Sequence, residues 1–441
     1  MQYQAYSINN FRKIPEVNRY LSKAQVGGIE LVGNIFPFKV NNYIIEELIN
    51  WDNVPDDPVF RLVFPQEEML RPYHYQQLRH AIGTGLEAYL RYTVRDIRLQ
   101  LNPHPAGQMD MNVPYFGDAC LDGTQHKYDQ TVLLFPAQGQ SCHAYCSFCF
   151  RWPQFVGAKD MKFSAHGTQD VLQYLKHNKQ VTDVLITGGD PMVMRSHILR
   201  AYIEPLLGEG LEHITTIRIG TKSLSFWPYR YVSDPDADDL IRLFDDIQRA
   251  GKHLSFMAHF NHPAEMKTAV VRTAIQRIRS TGAVIRTQAP LMRTINDEPK
   301  IWADLWKKQV NEGCVPYYMF VARDTGAQHH FGIPLTSAWS IYQKAVQRVS
   351  GIARTVRGPS MSAGPGKILV NGFLELEDQN AIVLSFLQGR NPDWVNRPFL
   401  AAYDEEAIWI DDLRPLPGRD EWFWSKEYNE MCVSSRYAVE R

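Results

Sequence analysis

The stretch that decides the fold runs from Thr131 to Phe155 and reads TVLLFPAQGQSCHAYCSFCFRWPQF. It begins with an apolar, β-branched run, and the Pro, Gly and Gln that follow end this run, which predicts a buried strand leading into a loop. The loop contains Cys142, Cys146 and Cys149, three of the six cysteines of the chain. Three thiols this close together predict a site that binds a metal or a cluster.

The spacing C-x3-C-x2-C leaves two kinds of site open. A structural zinc site needs four closed ligands, and His143 is a poor fourth because it adjoins Cys142 and would form a cramped chelate. An iron–sulfur cubane held by three thiolates leaves one iron open, and that iron can bind and reduce a ligand. The spacing favours the cluster, with structural zinc as the alternative. Cys120, Cys314 and Cys432 are scattered, and we expect them to be small buried hydrophobic residues rather than ligands.

Composition excludes several classes of protein. The 441 residues are 44% hydrophobic and 22% charged, as in an ordinary soluble globular protein. A net charge of −1 provides no global field that would favour nucleic acid or an anionic membrane. The N-terminal residues lack the apolar region of a secretory signal, and no apolar run approaches the length of a membrane span. Because six cysteines do not form a disulfide framework in a chain of this length, we expect the reducing cytoplasm.

Six apolar runs alternate with helical segments, which predicts an α/β fold with a parallel sheet. Residues that could bind a ligand lie at the ends of three of these runs: the turn Gly188–Asp190, His259 and Gln288. In parallel α/β folds, ligands bind at the C-terminal ends of the strands. An ordinary turn and a satisfied structural histidine are the alternatives. The runs are Thr131–Phe135, Asp183–Thr187, Thr215–Gly220, His253–His259, Ala283–Gln288 and Val315–Val321.

Six ordered blocks of the chain resemble segments of the lysine 2,3-aminomutase family of radical S-adenosylmethionine (SAM) enzymes. They are HKYDQTVLLFPAQGQSCHAYCSFCFRWPQFVG, VLITGGDP, IRIGTKS, HFNHPAE, RTQAPLMRTIND and GPGKILV. The resemblance implies a partial (β/α)6 barrel over residues 115–335. A mainly helical N-terminal region over 1–114 and a C-terminal α+β extension over 336–441 would flank it.

The resemblance also implies the chemistry. Cys142, Cys146 and Cys149 would ligate a [4Fe–4S] cluster, whose open iron chelates SAM. An electron then cleaves SAM to methionine and a 5′-deoxyadenosyl radical, which abstracts a substrate hydrogen. Such chemistry needs a reducing donor such as flavodoxin or ferredoxin. Contacts to SAM and cofactor would come from Gly188, Gly189, Asp190, His259 and Gln288.

Family aminomutases hold a second cofactor, pyridoxal 5′-phosphate (PLP), on a lysine in a glycine-rich stretch. Lys367 in SAGPGKILV falls on that position, with a solvated turn as the alternative. A lysine amine condenses with the PLP aldehyde and hands it to the substrate amine. The family also presents two arginines to the PLP phosphate, and these positions read Lys127 and Thr131. Because one cation is lost and Lys cannot replace an Arg fork, other groups would have to complete the phosphate site.

The substrate pocket departs from that of lysine-specific members. Arg151 matches the family arginine that pairs with the substrate α-carboxylate, a bidentate task suited to guanidinium. The two aspartates that hold the distal ammonium of lysine are replaced by Arg323 and Ser360, which predicts a non-lysine substrate and suits a distal carboxylate such as that of glutamate. The alternative is that Arg323 pairs with Asp324, which leaves the pocket neutral. The interchain zinc ligands of the family are also missing, so we expect no zinc, although a homo-oligomer with other contacts stays open.

Three hypotheses follow. The first is a SAM- and PLP-dependent 2,3-aminomutase of a non-lysine amino acid. The second is a radical SAM enzyme that abstracts hydrogen from an amino-acid-like substrate without PLP. The third is a non-catalytic cluster protein for electron transfer or iron sensing, against which the substrate clamp Arg151 argues.

Overall fold

The computed structural model describes residues 1–102, 111–157, 163–376 and 379–439. Its strands are β1 Ala5–Ser7, β2 Lys39–Asn41, β3 Tyr115–Phe116, β4 Ala119–Cys120, β5 Thr124–Tyr128, β6 Thr131–Leu134, β7 Asp183–Ile186, β8 Thr216–Thr221, β9 His253–His259, β10 Val284–Leu291, β11 Val315–Val321, β12 Arg357–Ser362, β13 Gly366–Glu375, β14 Asn380–Gly389 and β15 Pro398–Ala402.

The α-helices are α1 Pro15–Tyr20, α2 Lys23–Val32, α3 Pro58–Val63, α4 Pro72–Gly83, α5 Glu87–Gln100, α6 Gln169–His177, α7 Ser196–Ile203, α8 Ser223–Phe226, α9 Ala237–Arg249, α10 Ala269–Ser280, α11 Pro299–Asn311, α12 Gln328–Phe331, α13 Leu335–Val346 and α14 Ser425–Val439. No helix in these described ranges is both long and apolar enough to cross a membrane.

A single 11-stranded sheet, in the order β15-β14-β13-β12-β11-β10-β9-β8-β7-β6-β5, forms the centre of the fold. Neighbouring strands are parallel from β6 through β12. The strands β13 to β15 and β5 pair antiparallel at the two ends. The six predicted runs are β6 to β11, so the predicted α/β fold with a mostly parallel sheet is confirmed.

Helices between the parallel strands bury one face on the sheet. In α9, the buried residues Leu240, Leu243, Phe244 and Ile247 recur at the spacing of a single helix face. Asp238 and Asp239 lie in its first turn, where the helix dipole favours acids. Both the apolar spacing and the acidic first turn are visible in the sequence. The helix leads the chain back to the start of β9.

The sheet curls strongly. Seven strand-to-strand steps separate β5 from β12 in the sheet. A flat sheet would separate them by about 34 Å at a strand spacing of about 4.8 Å. Lys127 on β5 nevertheless donates a hydrogen bond to the carbonyl of Ala363, directly after β12. The two edges of the parallel sheet are therefore brought together, and the side chains inside the curl face one another.

The N-terminal region fastens the cysteine loop. The backbone amide of Tyr145 donates to the Lys39 carbonyl at 2.8 Å, and that of Ser147 donates to the Leu62 carbonyl at 2.9 Å. The Lys39 ammonium donates to the Cys142 carbonyl at 2.7 Å. This loop has little regular structure of its own, so these contacts set its path.

One hydrophobic cluster joins the N-terminal region to the parallel strands, and a second lies under the antiparallel strands β13 to β15. The division at residues 114 and 335 stays a prediction, and the sheet runs without interruption across the second boundary. One expectation is wrong: Cys120 is exposed, because the short strand β4 leaves its thiol beside Asp122 rather than in the core.

Candidate active site

The cysteine loop follows β6, and its three thiols are partly buried. Loss of solvent raises the pKa of each thiol, that of Cys149 to about 11. Asp190, Cys149 and Cys146 raise the pKa of Cys142 further, because negative charges at these positions repel one another. Thiols in this setting become thiolates when a cation compensates their charge.

The donor set fits a cluster better than a single ion. In the described ranges, no three His, Cys, Asp or Glu side chains are arranged to hold one metal ion. The cysteines of a cubane bind separate irons and do not need to meet at one point. Burial lowers the pKa of His143 to about 3, and its ring lies 5.8 Å from the Tyr3 ring. A neutral imidazole is the form that binds zinc, so this shift does not remove His143 as a fourth ligand, and the choice of a cluster over zinc stays a prediction.

The turn Gly188–Asp190 packs against the residues that lead into the cysteine loop. A Cβ on Gly189 would lie 2.3 Å from the Ser141 carbonyl oxygen. The Asp190 amide donates to that oxygen at 2.7 Å, and the buried Asp190 carboxylate accepts from Thr221 Oγ1 at 2.6 Å. The close approach expected toward a ligand is thus made, at least in part, toward the cysteine loop itself. Contact with SAM stays a prediction.

Gly189→Ala is expected to reduce cluster loading, because an added methyl group would collide with backbone that cannot rotate away. The destabilisation should be about 1–3 kcal/mol. Iron and sulfide per chain after anaerobic reconstitution, together with the thermal midpoint, measure it. Gly27→Ala is the control, because its Cβ would meet nothing within 4 Å. Normal iron content in the Gly189 variant would contradict the packing role.

His259, the last residue of β9, pairs in register with Gln288 inside β10, and 2.7 Å separate the Gln288 amide nitrogen from His259 Nε2. Burial, helped by the positive charges of Lys222 and Arg151, lowers the pKa of His259 to about 3. The imidazole is therefore neutral and accepts the hydrogen bond from Gln288. The two residues predicted to line one pocket are in direct contact.

Lys367 lies next to this pair across β11. Tyr318 pairs in register with Gln288, and the Lys367 ammonium lies 4.1 Å from the centroid of the Tyr318 ring. Its Nζ also donates to Gln388 Oε1 at 3.2 Å. Loss of solvent lowers the pKa of Lys367 to about 8, so a sizeable fraction of the amine is neutral at physiological pH. A solvated surface lysine would not have this environment.

The two positions predicted to face a phosphate differ in their surroundings. Lys127 is withdrawn from solvent and donates to the Ala363 carbonyl. Buried Thr131 lies 3.4 Å from Arg218 Nη2, and Arg218 is already paired with Asp183 at 2.7 Å. The cation next to Thr131, Arg218, is therefore already engaged by an acid.

Arg151 and Arg323 lie around the same aromatic ring. Their guanidinium carbons are 5.3 Å and 5.1 Å from the centroid of Phe150. Nη1 of Arg151 is buried and, among the described residues, has no hydrogen-bond partner. Burial lowers the pKa of Arg151 to about 10, Cys149 opposes this shift, and the positive charge of Arg323 adds to it. Arg323 Nε also lies 3.4 Å from Asp324 Oδ1, so the alternative pairing weighed from the sequence is present.

Ser360 is fully buried, and its hydroxyl donates to the Met319 carbonyl of the neighbouring strand at 3.4 Å. Its contact with substrate stays a prediction.

Sequence reasoning missed two features. Lys222 pairs with the fully buried Glu265, and its ammonium also donates to Asn261 Oδ1 at 2.8 Å. Both residues stand in blocks that were quoted for the family resemblance, IRIGTKS and HFNHPAE, but no local pattern pairs them. The second is Arg390, whose Nε donates to the Gly364 carbonyl at 2.9 Å. No local pattern marks Arg390, which reaches the site only through tertiary structure.

Several curated proteins are related to this chain in sequence. No family model matches the chain. A protein of Aquifex aeolicus named "Putative L-lysine 2,3-aminomutase" is 29% identical over 388 residues, which are 88% of this chain and 90% of the relative. The L-lysine 2,3-aminomutase of Methanococcus maripaludis is 25% identical over 57% of this chain and 55% of its own length. The glutamate 2,3-aminomutase of Clostridioides difficile is 24% identical over 56% of each.

Among solved structures, Streptococcus suis SuiB matches with a TM-score of 0.37 and 12% identity, over 67% of this chain and 66% of its own. This overlap is too weak to carry an argument.

The mostly parallel sheet, the three-cysteine loop after its first parallel strand and these relatives together define a radical SAM protein. It is a divergent relative of the L-lysine 2,3-aminomutases, and a glutamate 2,3-aminomutase is among its relatives.

Proposed function

We propose that the protein is a PLP-dependent radical SAM 2,3-aminomutase of an amino acid other than lysine, with an acidic amino acid as its preferred substrate. The observation that carries this proposal is the guanidinium of Arg151, which has a buried, unpartnered Nη1 and lies beside the thiol of Cys149. A substrate carboxylate would satisfy this donor at the place where the reaction needs the substrate.

The residues fit the implied cofactors. Cys142, Cys146 and Cys149 would hold a [4Fe–4S] cluster, and Lys367 would hold PLP. When bound, the cluster and SAM supply a 5′-deoxyadenosyl radical, and PLP supplies a conjugated system through which an amino group can move to the adjacent carbon. Reducing electrons would come from a flavodoxin or ferredoxin.

The chain contributes orientation and charge. Lys367 presents a partly neutral amine over the Tyr318 ring, where it would attack the aldehyde of PLP. The neutral His259 and its partner Gln288 line the adjoining wall. Arg151 would fix the α-carboxylate, which sets the position of the α- and β-carbons relative to the cysteine loop.

The far end of the site disfavours lysine. An ammonium there would meet Arg323, and Asp324, which could compensate its charge, already lies 3.4 Å from that guanidinium. Removing an ammonium from water next to another cation is costly. A substrate carboxylate at this position would instead form an ion pair with the guanidinium of Arg323. The relative named as a glutamate 2,3-aminomutase supports this choice.

A substrate panel tests the proposal. Anaerobically reconstituted protein with SAM, PLP and a chemical reductant is incubated with L-glutamate, L-aspartate, L-alanine or L-lysine, and β-amino acids are measured by mass spectrometry. We expect product from an acidic amino acid and none from lysine. Arg151→Gln should lower kcat/KM about 30-fold or more, since a charged pair is lost. Arg348→Gln, at an exposed position, is the matched control.

Two outcomes would contradict this proposal. Lysine as the best substrate would show that Asp324 rather than Arg323 governs the pocket. SAM cleavage without any amino-group migration would favour the second candidate, a PLP-independent radical SAM enzyme. That candidate rests on Thr131, where a family phosphate arginine is missing.

A further inference from the structure

We propose that Arg390 is the second phosphate-binding cation of the PLP site and takes over the task of the family arginine that is missing at Thr131. This inference rests on the proposed function, because it requires PLP on Lys367. It assigns to this chain a phosphate site built from Lys127, Arg390 and the turn between β12 and β13.

The two cations hold consecutive carbonyls of that turn. Lys127 Nζ donates to the carbonyl of Ala363, and Arg390 Nε donates to the carbonyl of Gly364 at 2.9 Å. The Arg390 amide also donates to the Pro365 carbonyl at 3.0 Å. Two residues later the same turn reaches Lys367. The cations and the amine that would bind the aldehyde are therefore tied to one short segment of backbone.

The partners of these cations are neutral. Lys127 contacts a carbonyl, and Arg390 Nη2 donates to the amide oxygen of Asn112 at 2.5 Å. Neither side chain forms an ion pair with an acid in the part of the chain that the structure describes. Two cations that are withdrawn from water, lie close together and lack an acid indicate an anionic ligand.

The charges around Lys127 point the same way. Loss of solvent lowers the pKa of Lys127 well below its usual range, and the positive charges of Arg390, Arg323 and Lys367 lower it further. Among these three charges, that of Arg390 lowers the pKa of Lys127 the most. A phosphate bound between Lys127 and Arg390 would relieve this repulsion and keep both cations charged.

The turn packs closely against the C-terminal helix. Gly364 has no side chain, and a Cβ there would lie 2.2 Å from the hydroxyl oxygen of Tyr428 on α14. The glycine therefore makes room for Tyr428, which fixes the turn that the two cations contact. Nε and Nη2 of Arg390 already donate to Gly364 and Asn112. A phosphate oxygen would therefore bind the remaining guanidinium N–H groups, and Lys127 would add a point charge.

The test compares two aldehydes that differ by the phosphate. PLP and pyridoxal are titrated into wild-type protein, Arg390→Gln and Arg397→Gln, and the adduct at Lys367 is trapped with borohydride and mapped by mass spectrometry. Arg397 is exposed near the same end of β14 and serves as the matched control. Loss of one charge-assisted hydrogen bond to phosphate should weaken PLP binding by Arg390→Gln about 10- to 100-fold. Pyridoxal labelling should be unchanged.

Each remaining outcome overturns the inference in a distinct way. Equal weakening of PLP and pyridoxal would show that Arg390 only supports the turn. Unchanged PLP affinity in Arg390→Gln would show that Arg390 does not contact the phosphate. If Arg390→Gln does lose affinity selectively for PLP, Arg390→Lys should restore part of it, and no restoration would show that charge at this position is not what binds PLP. Wild-type protein that is labelled by neither aldehyde at Lys367 would instead refute the proposed PLP chemistry, and with it this site.

Discussion

Cys146→Ala is expected to abolish reductive cleavage of SAM. If the three cysteines ligate a cubane, removal of one thiolate opens a second iron to solvent, and the cluster is lost or degraded. Iron should fall from about four per chain in the reconstituted wild type. Formation of 5′-deoxyadenosine under dithionite, measured by chromatography, should drop below detection.

Cys120→Ala is the matched control for this variant. Cys120 is exposed on β4, and its thiol lies beside Asp122 rather than in the cysteine loop. This control should keep both iron and SAM cleavage. Full iron content and SAM cleavage in Cys146→Ala would refute the ligand assignment, and a tightly bound single zinc in the wild type would revive the zinc alternative.

Lys367→Ala is expected to abolish the borohydride-stable pyridoxyl label and all amino-group migration, while 5′-deoxyadenosine still forms slowly without substrate turnover. The physical reason is that the neutral amine held above Tyr318 would be lost, whereas the cysteine loop is untouched. Lys344→Ala, exposed on α13, is the control. Normal substrate turnover by Lys367→Ala would end the aminomutase interpretation.

The pH dependence of labelling gives the same prediction a second readout. Only the neutral amine attacks an aldehyde, and burial lowers the pKa of Lys367 to about 8. Labelling of the wild type should rise with a midpoint near pH 8 and level off about one to two pH units above it. An ordinary surface lysine, with a pKa of about 10.4, would still be gaining reactivity there. A profile that keeps rising through pH 10 would show that Lys367 is solvated.

Much of the fold was readable because its determinants are local. The six apolar runs were found as β6 to β11 since β-branched, apolar segments between amphipathic helices have few other folds available. The cysteine spacing was equally visible, because all three thiols belong to one loop. The exposure of Cys120 was not, since it depends on where the short strand β4 lies.

The candidate site was only partly predictable. His259 and Gln288 were expected at one pocket because each ends an apolar run, and the structure pairs them across β9 and β10; their direct contact was not predicted. The pairing of Arg323 with Asp324 was left open by the sequence, because the direction of a side chain after a strand depends on its packing. Arg390 was invisible, since it lies 263 residues from Lys127, the difference of their numbers.

The sequence by itself determined the class of fold, the three-cysteine loop and the lysine that would carry PLP, because each of these is written in residues close together along the chain. Only the tertiary structure decided which cations share a site. The curl of the sheet brings β5 to the turn after β12, and that closure sets Lys127 and Arg390 on consecutive carbonyls. Charges that are far apart in sequence become neighbours only when the sheet closes, and their lack of acidic partners then defines where an anion would bind.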